Sequence, residues 1–187
     1  PDMVVSLTRP GRRIIAEVKR RSPSAGTLAT DVVPYRRAKT YQEAGAAAIS
    51  VLTEPDYFGG SLQDLSDVAD RLHIPCLRKV FIVDPIQLLE ARASGASCVL
   101  LIAAVCSESK LRVLREGAEA LGMHALVEAH TADEIRLAAD SGARIIGVNS
   151  RNLKDFSIDL ARAEALRPLI REAIPVAESG IEHADDI

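Results

Sequence analysis

Tryptophan is absent from these 187 residues, and aromatic residues make up only 3% of them. A chain so poor in rings has little with which to stack unpaired bases, which argues against a platform for single-stranded nucleic acid. Basic residues are not in excess either: 23 Lys and Arg against 26 Asp and Glu leave a net charge of −3. A nucleic-acid or anionic-membrane surface would need clustered Lys and Arg in surplus. Long apolar runs are missing too. The longest, Cys98 to Cys106, is about half of the roughly 18 residues that suggest a membrane span. Pro1-Asp2-Met3 shows no basic segment leading into an apolar one, so nothing reads as a secretory signal, and a first residue other than Met is compatible with a trimmed chain.

Cysteine is scarce. Cys76, Cys98 and Cys106 are odd in number and include no C-x-x-C pair, which argues against a disulfide framework or a structural zinc site. Small buried hydrophobes in a reducing cytoplasm is the reading their apolar surroundings favour. His73, His124, His130 and His183 form no H-x-x-x-H or H-x-x-E-H pair, so no metal site is expected.

What is present is apolar material, 48% of the chain, enough for one domain with a sizeable core. It falls into seven short runs: Ile14 to Val18, Ala48 to Leu52, Pro75 to Arg78, Cys98 to Ile102, Ala125 to Glu128, Ile145 to Asn149 and Pro175 to Glu178. Most are continuous rather than alternating, as in strands of a parallel sheet covered on both faces. Helix-compatible segments separate them: 35–44, 62–72, 85–93, 107–121, 131–140 and 160–172. Three of these lead into Gly-Ala steps, Gly45-Ala46, Gly95-Ala96 and Gly142-Ala143, where glycine accepts the left-handed turn that stops a helix. Repeated βα units give either an open doubly wound sheet or a closed (β/α)8 barrel.

Polar residues choose between the two. Glu17 and Lys19, Glu54, Lys79, Glu128, Asn149 and Arg151, and Glu178 and Ser179 stand at or just past the C-terminal ends of six runs. An open sheet gathers its ligand groups at one crevice, whereas a barrel gathers all strand ends around one mouth. The α/β class with a TIM barrel follows. A full barrel needs eight strands and typically about 250 residues, so the expectation is a barrel truncated after the seventh strand.

Glu17 and Lys19 share a strand face, as a carboxylate and an ammonium at one mouth or as solvated charges. The loop after them, Arg20-Arg21-Ser22-Pro23-Ser24-Ala25-Gly26, offers hydroxyl and backbone donors to an oxyanion. Lys79 is either a general acid whose pKa is lowered by desolvation and neighbouring cations, or a lysine reaching out to solvent. Glu128 is a single charge in apolar surroundings from Gly122 to Ala129, and such a charge is rarely buried without a partner. Asn149 next to Arg151 is compatible with a turn or with a guanidinium fork on a phosphate. Cations and carboxylates at one mouth imply an anionic small-molecule ligand and acid–base chemistry.

The string Ile15-Ala16-Glu17-Val18-Lys19-Arg20-Arg21-Ser22-Pro23-Ser24-Ala25-Gly26 resembles the first-strand signature of indole-3-glycerol phosphate synthase. Ser50-Val51-Leu52-Thr53-Glu54, Phe58-Gly59-Gly60-Ser61, Leu77-Arg78-Lys79, Ala125-Leu126-Val127-Glu128, Gly147-Val148-Asn149-Ser150-Arg151-Asn152-Leu153 and Ala177-Glu178-Ser179-Gly180-Ile181 are similar to that family's further segments, in order. The resemblance implies a cytoplasmic carboxy-lyase of tryptophan biosynthesis that uses neither metal nor organic cofactor. It would convert 1-(2-carboxyphenylamino)-1-deoxyribulose 5-phosphate to indole-3-glycerol phosphate, with loss of CO2 and water. It implies Lys79 as general acid, Glu128 as acid or base in later steps, and Lys19 on the substrate carboxylate. Glu17, Asn149 and Glu178 would orient substrate and catalytic groups. Ser22, Arg151, Ser179 and Gly180 would contact the phosphate, and Phe58, Phe81 and Leu101 or its neighbours would pack on the anthranilate ring. As partners it implies the phosphate substrate alone, in a monomer or weak homo-oligomer, with fusion to or association with other pathway enzymes compatible.

Two departures stand out. The family's Lys-Asp-Phe is Lys79-Val80-Phe81 here, and strand alternation points residue 80 away from the mouth. The eighth βα unit and the family's N-terminal extension are not in residues 1–187, so weak or no activity is expected of this chain alone. A different phosphate-binding barrel, such as phosphoribosylanthranilate isomerase, and a non-catalytic remnant or assembly partner are the competing readings.

Overall fold

The computed structural model describes residues 1–22, 26–27, 33–152, 156–183 and 186, with the backbone alone at Ser22 and Thr27. Pro23, Ser24, Ala25 and Leu153 of the segments above lie outside the described residues. The chain enters through a short helix, α1 (Met3–Leu7), and then strand β1 (Ile15–Val18). A small antiparallel hairpin follows, β2 (Arg21–Ser22) with β3 (Gly26–Thr27). The remaining strands are β4 (Ala48–Leu52), β5 (Cys76–Lys79), β6 (Cys98–Ile102), β7 (His124–Ala129), β8 (Ile145–Asn149) and β9 (Ile174–Glu178). Every apolar run anticipated above is a strand, displaced by at most one residue at either end.

Strand order in the main sheet is β1-β4-β5-β6-β7-β8-β9, and each adjacent pair is parallel. Among the described residues the order never reverses, so they form no switch-point crevice of the doubly wound kind. Seven strands curl in one direction as a barrel missing one strand. Around them run α2 (Pro34–Glu43), α3 (Pro55–Phe58), α4 (Leu62–Ala69), α5 (Ile86–Ala93), α6 (Glu108–Ala120), α7 (Ala132–Asp140) and α8 (Leu160–Leu166). Helix α8 is shorter than its apolar pattern suggests: a 3-10 turn, Arg167–Leu169, takes over at Pro168, which lacks an N–H and crowds the carbonyl four residues back. The three anticipated stop glycines have φ of 92°, 82° and 87° at Gly45, Gly95 and Gly142.

Strand alternation sorts the apolar residues into two layers. Val18, Ile49, Val51, Cys76, Val99, Leu101, Val127, Ile146 and Val148 face outward beneath the helices, with Val80 packed on the same layer. Ala48, Leu77, Cys98, Leu100, Ile102, Leu126 and Ile145 face inward. Helix α1 closes the inner layer, contributing Met3 and Leu7 to it. Ser6 Oγ ties this plug down by donating to the Ala47 carbonyl at 2.6 Å, and Asp2 Oδ2 meets His124 Nε2 at 3.0 Å. Apolar side chains thus fill the barrel below the strand ends and leave the C-terminal mouth to polar groups. No helix among the described residues is long and apolar enough to cross a membrane.

Candidate active site

Distances across the barrel bring the candidate residues together. Lys79 at the end of β5 and Glu178 at the end of β9 are four strand steps apart, about 19 Å in a flat sheet at roughly 4.8 Å per step. Curling brings Lys79 Nζ to 3.2 Å from Glu178 Oε2. The same ammonium lies 3.3 Å from Glu17 Oε2 on β1, at the opposite edge of the sheet. Lys19 Nζ donates to Glu17 Oε1 at 2.8 Å, and Ser50 Oγ to Glu17 Oε2 at 3.5 Å. Charges therefore alternate along one line, Lys19, Glu17, Lys79, Glu178.

A second group adjoins this line. Glu128 and Asn149, only 3% and 7% exposed, meet where Asn149 Nδ2 donates to Glu128 Oε1 at 2.9 Å. Asn149 Oδ1 accepts from the Arg151 N–H at 2.9 Å and from Ser179 Oγ at 2.8 Å. Both heteroatoms of the Asn149 amide group are thus directed: the nitrogen holds the carboxylate, while the oxygen holds the loops after β8 and β9.

Burial and neighbours set the protonation states. Burial pulls the Lys79 ammonium down, but Glu178, Glu17 and Glu128 together outweigh it and hold its pKa above the ordinary lysine value. This overturns the expectation of a lowered pKa. The direct partners of Lys79 are carboxylates, and the nearest cation of the line, Lys19, is separated from it by Glu17. Arg78 points to the outer layer, where it contacts Thr53, the Gln87 carbonyl and Glu90. Burial pushes Glu17 up, yet Lys79 and Lys19 bring it below the usual carboxylate range. Glu178 is pushed up to about 7, mainly by burial, with Lys79 opposing and Glu128 and Glu17 adding to the rise. Burial lifts the Cys76 and Cys98 thiols to about 12, as fits inert core residues.

Several anticipated residues stand elsewhere. Leu101 is fully buried in the outer layer under the helices, so it does not face the mouth; Leu100 and Ile102, on either side of it, face inward. Glu54 is the N-cap of α3, its carboxylate accepting from the backbone N–H groups of Asp56, Tyr57 and Phe58. Arg20, foreseen beside an oxyanion loop, makes a bidentate pair with Asp64 at 2.6 and 2.8 Å and also donates to the Gly59 carbonyl. Phe58 is half-buried and lines a recess with Lys19 and Leu52. Phe81 is 63% exposed beyond the end of β5. Arg151 is half-buried and its guanidinium donates to the Phe156 carbonyl at 3.1 Å. Ser179 and Gly180 both take left-handed backbone, φ 66° and 76°. The backbone of Ser22 is in β2, and its side chain lies outside the described residues.

Two residues escaped the sequence reading. His130 Nε2 is buried without a hydrogen-bond partner, 3.5 Å from Glu128 Oε1. The same two-residue parity that pairs Glu17 with Lys19 marks His130 as a neighbour of Glu128. Gly147 is the other: a Cβ there would strike the Glu178 carboxylate, Cδ being 3.0 Å away. No sequence signal marks it, because the clash is with a residue on another strand.

A family model described as indole-3-glycerol phosphate synthase matches residues 2–187, through all of the elements that carry this site. The chain belongs to that family. Indole-3-glycerol phosphate synthases are carboxy-lyases of tryptophan biosynthesis on the TIM-barrel fold, and this member has their blocks in order. The synthase of Lacticaseibacillus casei is 50% identical over 188 residues, covering 100% of this chain and 72% of its own. That of Leptospira interrogans is 51% identical over 175 residues, covering 93% of this chain and 69% of its own. That of Aquifex aeolicus is 45% identical over 189 residues, with 100% and 73% covered. Among solved structures, N-acetylmannosamine-6-phosphate 2-epimerase from Clostridium perfringens superposes with a TM-score of 0.72 over 100% of this chain and 83% of its own. At 14% identity that likeness is one of fold.

Proposed function

We propose that this site performs the family's ring closure with Lys79, Glu128, Glu17, Lys19, Asn149 and Glu178, acting on 1-(2-carboxyphenylamino)-1-deoxyribulose 5-phosphate. The observation that carries the reading is Lys79 held between Glu17 and Glu178 at 3.3 and 3.2 Å, beside the buried Glu128. In the reaction the ring carbon bearing the carboxylate bonds to the ketose carbonyl carbon, whose oxygen takes up a proton. CO2 then leaves, and the new hydroxyl departs as water.

An ammonium held in its charged form suits the first demand, since its N–H stabilises the oxygen as negative charge develops there. Its raised pKa makes Lys79 a reluctant proton donor while Glu178 and Glu17 hold it, so proton delivery to the leaving oxygen is coupled to moving off them. Glu178, near 7, is matched to proton exchange at neutral pH. Glu128, held by Asn149, serves the later proton removal. Lys19 reaches the substrate carboxylate from beside Glu17. Arg151, Ser22, Ser179 and Gly180 bind the phosphate, and Phe58 and Phe81 flank the ring. A cytoplasmic setting accords with three buried free thiols.

Product formation followed by indole fluorescence tests the reading, on this chain and on a chain joined to the eighth βα unit of the L. casei relative. The outer edges of β1 and β9 have no strand partner among the described residues, and turnover is expected to be higher in the joined chain. Product from neither form would sink the catalytic reading in favour of a non-catalytic remnant.

The pH dependence has a definite sign. The Lys79 contact needs an ionised Glu178, so kcat/KM should climb as pH rises through about 7, and Glu178→Gln should abolish that limb. Stability runs the other way. A carboxyl whose folded pKa is raised contributes stability below its unfolded pKa, and that contribution is lost as pH rises through about 7. Thermal melts between pH 4 and 8 should therefore flatten in the Gln variant, at roughly the carboxyl pKa and above. A limb that persists unchanged in Glu178→Gln belongs to another group.

A further inference from the structure

We propose that Gly147 is a positioning residue for the reaction: its missing side chain leaves the space in which the Glu178 carboxylate lies, and so sets Glu178 against Lys79. The proposal rests on the reading of Lys79 and Glu178 given above.

Nothing in the backbone asks for glycine at this position. Residue 147 is in the middle of β8, registered with Glu128 on one side and Val176 on the other, with no bulge. It is absent from the positive-φ glycines. Glycine inside a strand costs stability unless something approaches closely. Glu178 is what approaches. Register places Glu178 beside Asn149, two residues further along β8, yet its carboxylate folds back over Gly147. A methyl at 147 would stand 3.0 Å from Glu178 Cδ and nearer still to Oε1, while the next neighbour, Leu126 Cδ1, lies at an ordinary 3.4 Å.

The methyl therefore displaces one group, the carboxylate. Oε1 is buried with no hydrogen-bond partner of its own, so no bond at that atom opposes its displacement. Oε2 is the atom on Lys79. The two oxygens share one rigid plane, and pushing Oε1 off Gly147 swings Oε2 away from the ammonium.

A cycle of Gly147→Ala, Glu178→Ala and the double variant tests this, with kcat, KM, the pH profile and thermal stability as readouts. Gly147→Ala is expected to lower kcat on the order of 10²-fold, the loss that an ångström of misplacement produces, with KM less affected. Its acid limb should move to higher pH, because Glu178 loses the cation that opposes its rise. With Glu178 replaced by Ala the methyl has room, so Gly147→Ala should then cost nothing further in kcat or Tm. Should Gly147→Ala alone fail to fold, a folded double variant supports the proposal and an unfolded one overturns it. Wild-type kcat and pH profile in Gly147→Ala, or equal losses in both backgrounds, also overturn it. Unchanged turnover in Glu178→Ala would refute the role given to Glu178, while the Tm half of the cycle would still decide the steric claim for Gly147.

Discussion

Replacing Lys79 by Met is expected to lower kcat about 10²- to 10⁴-fold, the usual worth of a positioned acid or base. Met nearly preserves the length and apolar stem of lysine, so what is lost is the charge and its donors. The variant separates two functions of one ammonium. Without it, Glu17 and Glu178 remain as carboxylates facing into the barrel with no cation between them, and breaking a buried pair in this way costs up to about 3–5 kcal/mol. That cost depends on pH. Glu17 keeps Lys19, but Glu178, already raised by burial, loses the cation that opposes its rise, so the destabilisation fades as pH falls toward roughly 4 and is full near neutrality. Adding Glu178→Gln should recover much of the Tm and none of the turnover. A Lys79→Met chain that keeps wild-type kcat would remove Lys79 from the chemistry altogether.

Glu128→Gln should be nearly as damaging to turnover, again about 10²- to 10⁴-fold, but with the opposite balance in stability. Gln keeps the volume and an oxygen to accept from Asn149 Nδ2, so the 2.9 Å contact survives in kind. A charge only 3% exposed is exchanged for a neutral amide, which removes a desolvation cost. Tm should therefore hold or rise while kcat collapses, as thermal melts and single-turnover rates would show. A matching fall in both would mean that Glu128 is a structural anchor for Asn149 rather than an acid or base.

The strands were legible because a continuous apolar run covered on both faces is a local signal, and the site was legible because the charges terminate those runs. What could not be read depends on parity and curvature. In Cys98-Val99-Leu100-Leu101-Ile102 every residue is buried, so the run does not say which leucine faces the mouth; the structure puts Leu101 in the outer layer and its neighbours Leu100 and Ile102 in the inner one. The direction of the Lys79 shift turns on Glu178, 99 residues away in sequence and in contact only because the sheet curls. Glu54 ends an apolar run like the carboxylates at the mouth, but Pro55 starts a helix directly after it, and the unsatisfied N–H groups of that first turn claim the side chain. Helix α1, at five residues, is too short for its periodicity to register, though it closes the barrel floor.

The ammonium proposed to serve the reaction is also a clasp. Lys79 sits on β5, and its two partners belong to β1 and β9, the first and last strands of the sheet. A substrate oxygen that draws this ammonium off Glu178 must slacken the hold between those two rims. The barrel is thus fastened most tightly when its mouth is empty, and under the proposed mechanism each turnover would loosen and refasten the wall that contains it.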